Sequence, residues 1–285
     1  MEISPQALIL EGRKAVLEAL NHEKPIDRIL IRVDGKHKPG ASEAGGSDAF
    51  NKPEGTLRLI AAKARALKVV VQEVERSKLD ELSETGHHQG VIALCPAVPY
   101  VQISDILDIA RERGEAPFVI VLDGVTDPHN LGAVLRTADA GGAHGVIIPK
   151  RRAVGLTATV AKTSAGAIAH VPVARVSNIT RALEELKQAG LWVTCADAGD
   201  DAEEAPKQTG KNAPANQVKN LYDADFGGPI ALVLGAEGEG ISRLVREQAD
   251  FIVGIPMLGR IQSLNVSVAA GVLIYEVVRK RLTRA

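Results

Sequence analysis

Short apolar segments alternate with helical patterns from Phe118 to the carboxyl terminus, and this alternation constrains the fold more than any other feature of the sequence. The segments are almost continuously apolar, which is typical of strands buried on both faces of a parallel sheet. Parallel strands need crossover connections, usually helices. The sequence therefore predicts an α/β domain over residues 117–285, with FVIVLD, GVIIP, VPVARV, LWVTCAD, IALVLG and FIVGIP as its strands.

A smaller α/β unit is predicted over residues 1–98. LILEGRKAVLEAL has the apolar spacing of a helix, and IDRILIRV, VVVQEV and GVIALCPAV have the character of strands. Residues 34–54 are rich in Gly, Ser, Pro and charge, which predicts a flexible insert. Residues 99–116 are interpreted as a linker with a short helix. Residues 198–219 form a second polar insert.

The composition excludes several classes of protein. With 34 basic and 35 acidic residues and 45% hydrophobic residues, the chain is neither disordered nor uniformly basic. Its two cysteines, Cys95 and Cys195, lie too far apart for a disulfide framework or a cysteine-rich zinc site. No apolar run is long enough to span a membrane, and the amino terminus has no signal-peptide pattern. We expect a cytoplasmic protein without a membrane anchor or a metal.

Charge is distributed unevenly despite this balance. No acidic residue occurs between Asp139 and Glu184, an interval that contains Lys150, Arg151 and Arg152. A local basic stretch can hold a phosphate backbone, and an apolar buried segment can also exclude acids. Charge alone leaves both interpretations open.

Polar residues follow the first predicted strand of the larger domain. Asn130 lies in the turn before a helix, where an asparagine is often an N-cap. Arg136 lies six residues further along in a helix that is otherwise small and apolar. An arginine in that setting reaches a ligand, extends to solvent or pairs with a neighbour such as Asp139.

Two further crossovers carry unusual residues. After IALVLG, the glycines at 235, 238 and 240 surround Glu237. Their order is not that of the dinucleotide fingerprint, but it indicates a close approach to the backbone. After FIVGIP, Ser263, Asn265 and Ser267 precede a long apolar helix. Ser263 is a plausible N-cap, whereas the other two polar residues favour a site.

No arrangement of Ser, His and Asp, and no histidine pair at metal-ligand spacing, occurs in the sequence. Without a strong nucleophile or a metal site, hydrolysis is disfavoured and transfer from a bound activated donor is favoured.

Three segments in order, NLGAVLRTADAGG, LVLGAEGEGIS and IPMLGRIQSLNVSVAAG, resemble the three motifs of the SpoU (TrmH-type) RNA 2′-O-methyltransferases. The intervening IIPKRRAVGLTATVAKTSAGAIAHVPVARV is similar to the branch that modifies a 23S rRNA guanosine. The first 98 residues resemble the small L30e-like substrate-binding domain of that branch, with LEGRKAVLEAL and HQGVIAL as the matching stretches. The two polar inserts depart from the family pattern.

The resemblance implies a SPOUT-type fold with a deep trefoil knot and a homodimer with its site near the interface. It also implies methyl transfer from S-adenosyl-L-methionine to a ribose 2′-hydroxyl. The implied cofactor residues are Gly235, Ile255, Leu264, Pro256 and Gly259. The implied catalytic residues are Arg136, Asn130, Glu237, Ser263, Asn265 and Ser267. Lys150, Arg151 and Arg152 are expected to contact RNA phosphates.

The leading hypothesis is therefore a guanosine 2′-O-methyltransferase that acts on 23S rRNA. The same reaction on tRNA is an alternative, as is a non-catalytic RNA-binding relative that has kept the fold. A nucleotide-dependent oxidoreductase is disfavoured by the glycine order.

Overall fold

A computed structural model describes residues 9–32, 55–197 and 218–283 of the protein. The chain separates into two compact units, Met1–Pro99 and Tyr100–Ala285, each with its own sheet. The insert predicted at residues 34–54 lies outside the described residues, as do residues 198–217 of the second insert. Residues 218 and 219 begin a strand. Within the described ranges, no helix has the length and apolar character needed to cross a membrane.

The first unit has a mixed four-stranded sheet. Its elements in chain order are β1 (Ile9–Glu11), α1 (Arg13–Asn21), β2 (Arg28–Arg32), α2 (Gly55–Ala66), β3 (Val70–Val74), α3 (Arg76–Leu82) and β4 (Val91–Leu94). The strand order is β1-β4-β2-β3, and only β2 and β3 pair in parallel. Side chains from α1, α2 and the sheet share one core.

The first predicted helix begins later than its apolar pattern indicated. Gly12 has a φ of 87°, a left-handed conformation that interrupts a helix, and its N–H donates to Val91 O at 3.2 Å. Residues 9–11 therefore pair with β4 as a strand. The carboxylate of Glu11 then accepts hydrogen bonds from Ser83 and Thr85. Although burial raises the pKa of Glu11, these bonds and backbone N–H groups lower it to about 2.

The second unit contains the larger sheet. Its strands are β5 (Phe118–Asp123), β6 (Gly145–Pro149), β7 (Val173–Val176), β8 (Trp192–Ala196), β9 (Val218–Asn220), β10 (Ile230–Gly235) and β11 (Phe251–Gly254). Its helices are α4 (Ile103–Arg113), α5 (Pro128–Ala140), α6 (Ala158–Thr163), α7 (Ile179–Gln188), α8 (Arg243–Arg246) and α9 (Val266–Leu282). Short 3-10 turns occupy Ala167–Ala169 and Leu221–Asp223.

The seven strands are ordered β7-β6-β5-β10-β8-β11-β9, and every pair of neighbours is parallel. The central strands β5 and β10 are buried along nearly their whole length, because helices cover both faces. This arrangement confirms the predicted α/β class with a parallel sheet. The strand β9 was not predicted, because its three residues carry no apolar pattern.

Helix α4 lies within the core of the second unit. Ile103 and Ile106 are buried together with strand residues of the sheet. A Cβ added to Gly145, at the start of β6, would lie 2.6 Å from the Ile106 side chain. The helix predicted within residues 99–116 therefore packs as an integral layer of this unit.

A buried histidine and an arginine fix the amino end of β5. Phe118 N–H donates to His144 Nδ1 at 2.9 Å, so the ring proton lies on Nε2, which is 3.0 Å from Glu115 Oε2. Burial lowers the pKa of His144 below its ordinary value of 6.5, although Glu115 opposes the shift. Arg281, near the end of α9, donates to Ala116 O and Gly228 O at 2.8 and 2.9 Å. These contacts hold β5, β10 and α9 in register at this edge of the sheet.

We expect stability to fall in acid because the folded state keeps His144 neutral. The lowered pKa contributes stability that is present above pH 6.5 and is lost as the pH falls through the lower folded value. His144→Leu should cost about 1–3 kcal/mol at neutral pH, since the Phe118 N–H loses its acceptor. It should also flatten the fall in unfolding free energy below pH 6.5. Urea unfolding at a series of pH values measures both effects.

His170→Leu, which removes an exposed histidine of the same unit, is the matched control. Equal pH dependence in wild type and His144→Leu would contradict the assignment.

Candidate active site

The carboxyl ends of the parallel strands meet at one edge of the larger sheet, where a cavity of about 400 Å³ lies. It is lined by residues that follow the adjacent strands β8, β10 and β11, and by the first turns of α9. Its volume is in the range of small-molecule sites, and ligands in open α/β sheets bind at this edge.

The loop after β10 folds back tightly on itself. Ala236 and Gly240 exchange two backbone hydrogen bonds of 3.1 and 2.9 Å, and Gly238 and Gly240 have positive φ angles of 82° and 66°. A Cβ on Gly235 would lie 2.1 Å from the carbonyl carbon of Gly240. The close approach that the glycine pattern predicted is thus an approach of protein backbone, which shapes the cavity wall. It is not a space left open for a ligand at Gly235.

Three polar residues from the three unusual crossovers meet at the rim of this cavity. Asn130 Nδ2 donates to Glu237 Oε1 at 3.1 Å, and Asn265 Nδ2 donates to Asn130 Oδ1 at 3.0 Å. Asn265 Nδ2 also donates to Glu237 Oε1. Asn130 is only 6% exposed, whereas Glu237 and Asn265 border the cavity. The contacts join α5, the loop after β10 and the start of α9, and we call these three residues the Asn–Glu–Asn cluster.

The helix caps differ from those that the sequence indicated. Asp127 is the N-cap of α5 and accepts from His129 N–H at 2.9 Å, which leaves the Asn130 side chain free for the cluster. Asn265, and not Ser263, is the N-cap of α9. Its Oδ1 accepts from the N–H and the hydroxyl of Ser267 at 2.9 and 2.5 Å. Asn265 therefore caps a helix with one side-chain atom and joins the cluster with the other.

Only some of the remaining residues that were predicted for the site line the cavity. Ser263, Leu264 and Ile255 line the cavity together with Gly235. Pro256 and Gly259 belong to the same segment but are not among the lining residues. Gly259 is exposed, and a Cβ added there would meet nothing within 4 Å.

Arg136 lies apart from the cavity of its own chain. It is exposed on α5 and does not line the cavity. Within the described ranges, no hydrogen bond or ion pair joins it to Asp139. Six residues place Arg136 about 120° around the helix from Asn130. The guanidinium is thus presented to solvent on another face of α5.

The basic run after β6 lies at the same edge of the sheet as the cavity. Arg151 and Arg152 are exposed and Lys150 is half-buried, so the run is a surface and not part of the core. Arg152 adopts a left-handed backbone with a φ of 55°. Arg175, from the same acid-free interval, instead donates to Lys150 O at 3.3 Å and lies 5.2 Å from the Tyr100 ring centroid.

Several cavity residues were missed from the sequence. Asp197, directly after β8, lines the cavity and lies 3.1 Å from Arg246 Nε. Met257 and Gln262 contribute from the segment after β11. The position of Asp197 at the end of an apolar strand was a usable signal. The adjacency of β8 and β10 could not be predicted, because the periodicity of apolar residues does not reveal the order of strands in a sheet.

The sequence matches the SpoU rRNA Methylase family over residues 117–275. Residues 49–101 match the family described as RNA 2′-O ribose methyltransferase substrate binding. A Bacillus subtilis strain 168 protein, YacO, carries the name of a TrmH family tRNA/rRNA methyltransferase. It is 43% identical over 270 residues, which cover 95% of this chain and 94% of YacO. A Staphylococcus aureus (strain MSSA476) protein with the same family name is 44% identical over 273 residues, 96% of each chain.

Two solved structures are similar across almost the whole chain. The SpoU methyltransferase AviRb from Streptomyces viridochromogenes, in complex with AdoMet, has a TM-score of 0.53 and 22% identity and covers 98% of this chain and 92% of its own. A TrmH-family RNA methyltransferase from Porphyromonas gingivalis has a TM-score of 0.52 and 25% identity, with 96% and 90% covered. These similarities confirm the predicted fold class, the SPOUT type.

We expect Gly235→Ala to disturb the cavity wall. The added methyl group meets the Gly240 backbone, so the loop must shift, and over-packing of this kind costs about 1–3 kcal/mol. Amide exchange at residues 236–241 should accelerate and the melting temperature should fall. Gly259→Ala is the control, because its methyl group enters open space. Equal exchange protection in the two variants would show that Gly235 has no packing role.

Proposed function

This chain belongs to the SpoU rRNA methylase family of RNA methyltransferases, and from that premise we propose that it transfers a methyl group from S-adenosyl-L-methionine to the ribose 2′-hydroxyl of a guanosine in 23S rRNA. One observation carries the proposal. Residues from three segments far apart in the sequence form the Asn–Glu–Asn cluster at the rim of a cavity of about 400 Å³. Polar residues that are far apart in the sequence and come together only in the folded chain are typical of an active site.

The cavity suits a nucleoside bearing an amino-acid side arm. Leu234, Val253, Ile255 and Leu264 supply apolar surface for the adenosine, and backbone groups of the Gly235 loop supply polar contacts. S-adenosyl-L-methionine, when bound, supplies the methyl group from a cationic sulfonium. We infer that Pro256 and Gly259 act by shaping the segment that carries Ile255 and Leu264. AviRb, whose structure contains AdoMet, supports this assignment through its similar fold.

Arg136 is proposed as the residue that activates the 2′-hydroxyl. A guanidinium holds its proton at neutral pH and is a poor general base. It therefore stabilises the alkoxide that forms as the hydroxyl proton passes to water, and the alkoxide oxygen then attacks the methyl carbon as the bond from sulfur to that carbon breaks. The Asn–Glu–Asn cluster positions the loop and the ribose, and Ser263 and Ser267 offer hydroxyl groups beside it.

A homodimer accounts for the distance of Arg136 from the cavity of its own chain. Helix α9 exposes Val268, Tyr275 and Leu282 on one face, two helical turns apart, and Leu258 nearby in sequence is 99% exposed. Such an apolar stripe is typical of a helix that packs against a partner. We propose that two copies associate through α9 and that Arg136 of one copy serves the cavity of the other.

The RNA is proposed to contact both units. The first unit matches a substrate-binding family, and Lys150, Arg151 and Arg152 lie at the catalytic edge of the second. We infer that these three cations contact phosphates, which position RNA without reading its sequence. We also infer that the enzyme acts in the cytoplasm, where RNA is modified and where its buried cysteines stay reduced.

The substrate is tested by incubating the protein with labelled S-adenosyl-L-methionine and either total rRNA or total tRNA. We expect label in 23S rRNA, at the 2′-oxygen of a guanosine mapped by nuclease digestion.

Arg136→Ala should lose at least about a hundredfold in single-turnover rate, the loss expected for a missing transition-state charge. Cofactor affinity should remain unchanged. Label in tRNA alone would replace the rRNA assignment, and a near-normal rate in Arg136→Ala would remove its catalytic role.

Mixing two inactive variants tests whether Arg136 acts across the dimer. Arg136→Ala and Asn265→Ala are mixed after unfolding and refolded together. If Arg136 acts in trans, each mixed dimer has one intact site, and about a quarter of wild-type activity returns with random pairing. If Arg136 acts within its own chain, every site keeps one defect and no activity returns. Each variant refolded alone is the control.

A further inference from the structure

A second cavity of about 430 Å³ lies at the opposite edge of the larger sheet, where β8, β10 and β11 begin. Trp192 and Phe251 are the first residues of β8 and β11, and Ile230 begins β10. The cofactor cavity lies at the carboxyl ends of the same strands. The two cavities share one lining residue, Val253, but no member of the Asn–Glu–Asn cluster lines the second, so the methyl-transfer site does not account for it.

Aromatic residues are concentrated at this cavity. The chain has one Trp, four Phe and three Tyr, and Trp192, Phe226 and Phe251 all line it. The rings of Trp192 and Phe251 lie 5.5 Å apart between centroids, at an interplanar angle of 45°. Trp192 is 56% exposed, whereas the indole of a tryptophan is usually mostly buried in a folded protein. An exposed indole at the mouth of a cavity offers a flat surface for stacking.

Polar groups of both signs surround that surface. Lys219 Nζ lies 4.8 Å from the centroid of the Phe251 ring. Asp223 and Asp225 line the cavity from the turn after β9. Asp225 Oδ1 accepts from Gly227 N–H at 3.0 Å, which fixes the direction of that carboxylate. The cavity therefore combines an aromatic face, two hydrogen-bond acceptors and one donor.

We propose that this cavity binds an unpaired guanine base of the RNA substrate, an inference that rests on the proposed function. Guanine presents two adjacent N–H donors, N1–H and the 2-amino group, beside the O6 acceptor. Asp223 accepts from the donors, Lys219 donates to O6, and Trp192 stacks on the ring. Unpaired bases in RNA are recognised in this way, by stacking and by hydrogen bonds to their Watson–Crick edge.

The contacts favour a base over a cationic side chain from a protein partner. An arginine or lysine would also bind to an indole and two carboxylates. Lys219, however, already places its ammonium on the Phe251 ring inside the same cavity, so it offsets part of the attraction of the two carboxylates for a second cation. A guanine makes use of Lys219 as a donor, whereas a cation does not.

The single Trp makes the test direct, because fluorescence of Trp192 reports on this cavity and on no other part of the chain. We expect guanosine 5′-monophosphate to quench Trp192 with saturation. Inosine 5′-monophosphate, which lacks only the 2-amino group, should bind about tenfold more weakly, since a carboxylate then loses its partner. Adenosine, cytidine and uridine monophosphates should bind more weakly still.

Asp223→Asn and Lys219→Met are the test variants, and Glu112→Gln, which removes an exposed carboxylate on α4, is the matched control. Asp223→Asn should reduce the preference for the guanosine over the inosine nucleotide, and Lys219→Met should weaken both. Circular dichroism verifies that each variant is folded. Quenching that is equal for all five nucleotides, or absent, overturns the proposal. Quenching by free L-arginine but not by guanosine monophosphate assigns the cavity to a basic protein partner instead.

Methyl transfer to 23S rRNA is measured on the same samples. A wild-type protein that binds guanosine monophosphate at Trp192 but transfers no methyl group contradicts the proposed function and leaves the cavity assignment standing. A protein that methylates rRNA without nucleotide-dependent quenching contradicts the cavity assignment alone.

Discussion

The carboxylate of Glu237 is the interaction on which the candidate active site depends. It accepts hydrogen bonds from the side-chain amides of Asn130 and Asn265, and its Oε1 lies 3.4 Å from Val266 N. These contacts join α5 and α9 to the loop after β10. Hydrogen bonds to a charged acceptor are stronger than those between neutral groups. The loop itself has little apolar surface to hold it in place. Its position therefore follows from Glu237 on one side and from the Gly235–Gly240 backbone contact on the other.

Helix α9 transmits this constraint across the unit. Its amino end carries Asn265 as both cap and cluster member, and near its carboxyl end Arg281 donates to backbone carbonyls at the beginnings of β5 and β10. One helix thus fixes both edges of the parallel sheet. The two cavities lie at those two edges and are lined by different residues, apart from Val253, which they share.

The sequence predicted the parts of the fold that burial dictates. A strand covered on both faces must be apolar throughout, and β5 and β10 were evident for that reason. The start of α1 was predicted too early, because apolar spacing does not reveal that Gly12 interrupts the helix. Asn130 and Ser263 were predicted as helix N-caps, because a capping residue is identified from its immediate neighbours in the sequence. In the structure Asp127 is the N-cap of α5 and Asn265 is the N-cap of α9. Trp192 was not predicted as a site residue, because it lies beside Phe251 only in the folded sheet, where β8 and β11 are neighbours.

The charge of the candidate active-site cavity bears on the turnover of the proposed reaction. Among the described residues that line it, the acidic side chains are Asp197 and Glu237, and neither a lysine nor an arginine lines it. Asp197 is balanced by Arg246, whereas Glu237 accepts hydrogen bonds from the neutral amide groups of Asn130 and Asn265. In the proposed reaction the sulfonium donor is a cation, and the thioether product has lost that charge. A carboxylate at the rim attracts the donor more than the product, which favours exchange of product for donor after transfer. The same attraction stabilises the reactant and does not lower the barrier, because catalysis requires contacts that strengthen in the transition state. Rate acceleration therefore requires a group that stabilises the alkoxide as the hydroxyl proton leaves, and the exposed guanidinium of Arg136 is the group proposed for that task.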